Sequence, residues 1–148
     1  MKAPAVPDDD STLRSYLETC DVPTDRELRA FVLANGERYT RQPYPENGPR
    51  LRPLGECFQQ SIVLSIDVEQ LAYVEGFALA RDGRPYHHAW CADEHARVVD
   101  CTWGAHGLAY FGVRLPPDFV NRRWQELRGT NSAKDYNLLP SFIAEQGA

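Results

Sequence analysis

The chain has no long apolar run. Its longest is five residues, Ala30-Phe31-Val32-Leu33-Ala34, and others such as Phe77-Ala78-Leu79-Ala80 reach four, where a membrane span needs ~18 or more. No membrane association is therefore expected. The N-terminus lacks a charged-then-apolar leader; it opens on prolines and Asp8-Asp9-Asp10, which leads us to expect a cytoplasmic protein. Basic residues are not in excess either: 16 Lys and Arg stand against 21 Asp and Glu, a net charge of −5. Nucleic acid and anionic lipid both reward clustered Lys and Arg, so neither is expected as a partner. No CxxC pair occurs among Cys20, Cys57, Cys91 and Cys101, and their spacings match no common zinc ribbon or finger. Internal repeats and low-complexity tracts are absent.

What remains is an ordinary globular composition. With 148 residues, 43% hydrophobic and 25% charged, the chain reads as one domain over 1–148 with one core. A domain of this size closes a core without disulfides, so reduced thiols are expected. A zinc site from Cys57, His88, Cys91 and Cys101 is the alternative; the main reading has no metal or cofactor.

Periodicity outlines the elements. Residues 1–10 are expected to be loose, and a helix starts at Ser11 with Leu13, Tyr16 and Leu17 on one face. Thr24-Asp25-Arg26-Glu27 has the form of a capping box, and Leu28, Phe31 and Val32 follow as an apolar stripe. Asn35-Gly36 is read as a left-handed stop. Residues 37–55 hold four prolines and two glycines, so they read as an irregular stretch, either a wrapping loop or a surface connector. From Cys57 to about Val68, the set Phe58, Ile62 and Ile66 marks a helix. Strands are expected at 73–80, 86–92, 97–102 and 109–115, the middle two as a hairpin. Pro116-Pro117-Asp118 opens a further helix closed by Gly129, and 130–148 is weakly patterned and expected to be loose. The order gives an α+β fold, with N-terminal helices and a Cys-bearing helix packed on an antiparallel sheet.

Cys57 is the residue whose position carries chemistry. It follows Gly55-Glu56 at the start of its helix, where unpaired amides and the helix dipole favour a thiolate and can receive an oxyanion. Such a nucleophile needs a base, and the base an orienting group. His88 and Asp100 supply both if they share a face of the hairpin. Directly opposed residues have a constant index sum, and 188 places the loop at Asp93-Glu94-His95. A two-residue turn at Glu94-His95 would send Asp100 to the other face. This register opposes Cys101 to His87, which argues against a Cys91–Cys101 disulfide. His87 competes with His88 for the role of base, and strand parity separates them.

Gly55-Glu56-Cys57, Tyr73-Val74-Glu75-Gly76-Phe77-Ala78, His88-Ala89-Trp90 and Val98-Val99-Asp100-Cys101-Thr102-Trp103 together resemble the transglutaminase-like superfamily of papain-like cysteine enzymes. The resemblance spans about residues 55–104. It implies a transglutaminase-like core, with Cys57 as nucleophile, His88 as general base and acid, and Asp100 as orienter. It also implies acyl transfer or hydrolysis on a peptide, amide or thioester substrate through an acyl-enzyme, with water or an amine as acceptor. Asp100 is followed by Cys101 where the family more often has Pro. No Trp precedes Cys57 to donate to the oxyanion, which leaves Gln42, Tyr44 or Gln60 as candidates. Trp90 either walls the site or packs in the core, and Glu75 is a candidate site-lining residue. The alternative function is a binding module that kept the fold and lost the chemistry.

Overall fold

The computed structural model describes residues 8–20, 22–51, 55–128 and 136–147. The predicted capping at Gly129, and most of the weakly patterned stretch before residue 136, lie outside them. Five α-helices and one five-stranded antiparallel sheet make up the α+β architecture among these residues. Helix α1 spans Asp9–Thr19, α2 Arg26–Asn35, α3 Cys57–Asp67, α4 Pro117–Leu127 and α5 Leu139–Gln146. The strands are β1 Glu37–Tyr39, β2 Ala72–Leu79, β3 Pro85–Ala92, β4 Val98–Val99 and β5 Ala109–Arg114, in sheet order β1-β5-β2-β3-β4. No described helix is long and apolar enough to cross a membrane.

Several boundaries differ from those read in the sequence. Helix α1 begins at Asp9 rather than Ser11, because the Asp8 carboxylate caps it, accepting from Ser11 N at 2.7 Å. Helix α2 follows a 3-10 turn at Pro23–Asp25, and its N-cap Asp25 makes no side-chain cap bond. Thr24's side chain lies outside the described residues. Glu37–Tyr39 is not irregular: it is an edge strand paired with β5 (Glu37↔Gly112, Tyr39↔Tyr110). Three residues carry no period of their own, and only the neighbour makes them a strand. Helix α5 was likewise missed, and residues 139–146 are not loose. Its eight residues open with Pro140 in the first turn and bury Leu139.

The sheet curls on itself. Thr40, just past β1 at one edge, bridges Arg97, just before β4 at the other, with Thr40 N donating to Ala96 O and Val98 N to Thr40 O. Inside the curl lie Tyr39, Val74, Ala78, Trp90, Ala92, Val98 and Tyr110. Outside, Tyr73, Phe77, Leu79 and Ala89 meet the apolar faces of the helices. Strand β2 is therefore buried on both faces, with only its first residue partly open.

Two close approaches require glycine. Gly36 has φ −91° and ψ 177°, so it is no left-handed stop. Instead, a Cβ there would sit 2.6 Å from Val32 O and 2.7 Å from Gly112 O, where α2 turns tightly into β1. On the inner face, Gly76 and Gly112 are cross-strand partners, and a Cβ on Gly112 would lie 2.9 Å from the Trp90 ring. The paired glycines make room for the indole. A Cβ on Gly76 would collide with backbone atoms of Phe111 and Gly112, so Gly76→Ala must part β2 from β5. We expect a loss of about 2 kcal/mol or more in urea unfolding, within the range for overpacked cores; a loss below ~0.5 kcal/mol would contradict this packing.

Candidate active site

Position along β3 decides which histidine goes where. His88 opposes Gly76 and points into the curl, while His87 opposes Phe77 and points to the helix layer. The register of β3 with β4 is Cys91↔Val99 and Ala92↔Val98. This is an index sum of 190 rather than the expected 188. The loop is accordingly Glu94-His95-Ala96, closed by Asp93 N donating to Arg97 O, with Ala96 at φ 59°. Asp93 causes the shift: its Oδ1 accepts from His95 N and Arg97 N, which builds a three-residue turn ending in a left-handed residue. Because the loop is still odd-numbered, Asp100 stays on the face of His88. The strand expected over 97–102 shrinks to Val98–Val99, and Asp100 opens a run of turns.

Those turns wrap the Asp100 carboxylate in donors. Oδ1 accepts from Thr102 N (3.2 Å), Thr102 Oγ1 (3.3 Å) and Trp103 N (3.0 Å). Oδ2 accepts from His88 Nε2 and Tyr110 Oη, both at 2.8 Å. Burial acts to raise the Asp100 pKa, but the His88 charge and these hydrogen bonds outweigh it, and the net shift is downward. Tyr110 is held far above its ordinary value, chiefly by burial and then by Asp100, so it stays a phenol and a donor.

His88 is 1% exposed. Burial alone would lower its pKa; Asp100, and then Cys57, reverse this and raise it to about 9. With Nε2 committed to Asp100, Nδ1 is the ring nitrogen left over, and the Cys57 thiol is near enough to help raise the His88 pKa. Trp103 stacks on the imidazole with centroids 3.8 Å apart at 20°, a contact suited to a charged ring.

Cys57 is half-buried at the first position of α3, after Gly55 (φ 87°) and Glu56. Strand β4 covers only Cys91 and Ala92 of β3, so the edge of β3 beside the two histidines is free to receive the helix. The first turn of α3 straddles that edge. Cys57 is near enough to His88 to help raise its pKa, and Phe58 packs on His87 on the outer face, ring centroids 4.9 Å apart.

The other candidates fall elsewhere. Trp90 is 0% exposed and packs on Tyr39 and Tyr110, so it supports His88 from within the core and cannot wall an open site. Glu75, also 0% exposed, lines no surface; its carboxylate binds His87, Tyr73 and the start of α5. Gln42 is committed to Val98 O at 2.9 Å. Tyr44 donates to Pro49 O and packs against the cluster of Leu64, Cys91, Val99 and Cys101, so it anchors this stretch to the sheet. Gln60 stands one turn beyond Cys57 on α3.

None of the four cysteines is in a disulfide, and Cys91 donates to Ser61 O. Among the described residues no three His, Cys, Asp or Glu side chains are grouped as a metal requires, so the zinc alternative has no site. Sequence reasoning missed Trp103, Thr102 and Tyr110. Tyr110 could have been found by alternation, since it shares the inner face with Gly112.

Comparison of the chain with family models, curated proteins and solved structures returns no match.

The His88–Asp100 pair makes stability depend on pH. His88 is raised from 6.5 to about 9, so its contribution is complete below pH 6.5 and lost as pH rises through 9. Asp100 is lowered from 3.8, so its contribution is present above that value and lost as pH falls below it. In Asp100→Asn, burial acts on His88 without its opposing charge. We expect the imidazole to titrate below 6.5 by NMR; a value still near 9 would contradict the assigned cause.

Proposed function

We propose that the protein is a cysteine enzyme catalysing acyl transfer or amide hydrolysis, with a core similar to that of the transglutaminase-like superfamily. One observation carries the reading: a buried imidazole is bonded to a fully hydrogen-bonded carboxylate, and the thiol at a helix start is near enough to help raise its pKa. This is the nucleophile, base and orienter order such chemistry needs.

In the proposed reaction the proton of the Cys57 thiol already stands on His88 Nδ1, and the sulfur attacks the substrate carbonyl carbon. The first-turn amides of α3 donate to the resulting oxyanion. The carbon–nitrogen bond breaks as His88, which holds a proton to about pH 9, protonates the departing amine. Water or a second amine, deprotonated by His88, then attacks the thioester, and the carbon–sulfur bond breaks to restore Cys57. Asp100 does not titrate in this cycle; it keeps Nε2 protonated so that Nδ1 does the proton transfer.

Labelling with iodoacetamide at pH 6, read by peptide mass spectrometry, tests the reading. Modification is expected at Cys57 well ahead of Cys20, Cys91 and Cys101, and His88→Ala should abolish that lead. Four thiols reacting at similar slow rates would favour a binding module and contradict the proposal.

A further inference from the structure

The proposed chemistry leaves unused a second buried carboxylate and a second histidine, and they border a cavity. Glu75 Oε1 accepts from Tyr73 Oη (2.6 Å), Leu138 N (2.7 Å) and Leu139 N (3.0 Å), while Oε2 faces His87 Nε2 at 2.8 Å. Tyr73 is held well above its ordinary pKa, by burial first and Glu75 second, so it remains a donor. A carboxylate taking two backbone N–H groups and a phenol acts only as an acceptor, which puts the Nε2 proton on His87. Nδ1 is the ring nitrogen left over, and no described residue bonds to it. The ring is clamped between Phe58 and Phe77, with centroids at 4.9 and 5.7 Å.

His87 lines a cavity of about 420 Å³ between α2 and α5, a size that suits a small ligand or a substrate arm. Its walls offer Leu28, Pro140 and Ile143 as apolar surface, with Asp25 and Glu27 at the polar end. Among the described residues neither acid is in an ion pair, and no Lys or Arg lines the space. His87 links the cavity to the nucleophile's helix: Phe58, whose ring centroid lies 4.9 Å from that of His87, follows Cys57 directly. The larger cavity of about 620 Å³ lies by Ser65 and Ile66, toward the other end of α3.

A ligand complementary to these walls has an alkyl arm ending in a cation that donates N–H. We propose that this cavity is a specificity subsite taking an alkylammonium or guanidinium group of the substrate. His87 Nδ1 accepts one of its hydrogen bonds, Asp25 and Glu27 meet its charge, and Glu75 is the positioning residue that orients His87. The proposal rests on the cysteine-enzyme reading and adds a substrate class to it.

Two alkylating reagents test it, N-(4-aminobutyl)bromoacetamide and the uncharged N-pentylbromoacetamide. With both, the sulfur–carbon bond forms as bromide leaves, so only the terminal group differs. At Cys57 the cationic reagent should react about tenfold faster, while Cys20 shows no such preference. In Asp25→Asn/Glu27→Gln the ratio at Cys57 should fall to that at Cys20, and His87→Gln should reduce it several-fold. In the unaltered protein, n-butylammonium chloride should slow the cationic reagent more than sodium chloride of equal ionic strength does, a readout independent of any variant's folding. Equal rates for the two reagents at a reactive Cys57, or no effect of n-butylammonium, would overturn the subsite and leave the enzyme reading standing. A Cys57 inert to both reagents would overturn both.

Discussion

The Asp100 carboxylate is the constraint around which the candidate site is built. Five donors converge on one buried side chain: two backbone amides, a threonine hydroxyl, a tyrosine hydroxyl and an imidazole. A buried charge without partners would be strongly destabilising. Satisfying this one dictates that the chain leave β4 after two residues and turn at 101–105. The same satisfaction orders its neighbours. Tyr110 spends its proton on Oδ2, Trp103 is drawn by its amide over His88, and His88 is held with Nε2 on the carboxylate and Nδ1 left over.

Strand alternation then produces a doubled arrangement. Adjacent histidines on β3 point to opposite faces of the sheet, and each meets a buried carboxylate that is also bonded by a tyrosine: His88 with Asp100 and Tyr110, His87 with Glu75 and Tyr73. The inner set lies within the aromatic interior of the curl. The outer set ties the start of α5 to β2 through Leu138 and Leu139. Because the first turn of α3 sits across the edge of β3, two consecutive residues, Cys57 and Phe58, address the two sets. In the proposed function one set moves protons and the other reads the substrate.

The sequence revealed much of this through residues whose pattern is local. The period of Phe58, Ile62 and Ile66 marked α3, and the hairpin's odd loop put Asp100 on the face of His88. What it hid depended on partners distant in the chain. Glu37–Tyr39 is a strand only because β5 lies beside it, and α5 is anchored by a carboxylate more than sixty residues upstream. The register was two residues off because Asp93 was read as a loop residue and its side-chain bonds to two amides were not anticipated. Gly36 looked like a helix stop, whereas the real demand is the approach of β5. Glu75 was read as site-lining, but an acid in an apolar strand can equally be buried when backbone amides, a phenol and an imidazole surround it.

The most direct test of the central claim is whether an acyl group is carried by Cys57 and released. After mixing with p-nitrophenyl acetate at neutral pH, peptide mass spectrometry should find one acetyl group per chain, on Cys57, that decays within the steady state. In His88→Ala any acetyl group formed there should persist. Acetylation spread over all four cysteines, or a Cys57 adduct that the unaltered protein never releases, would contradict the account.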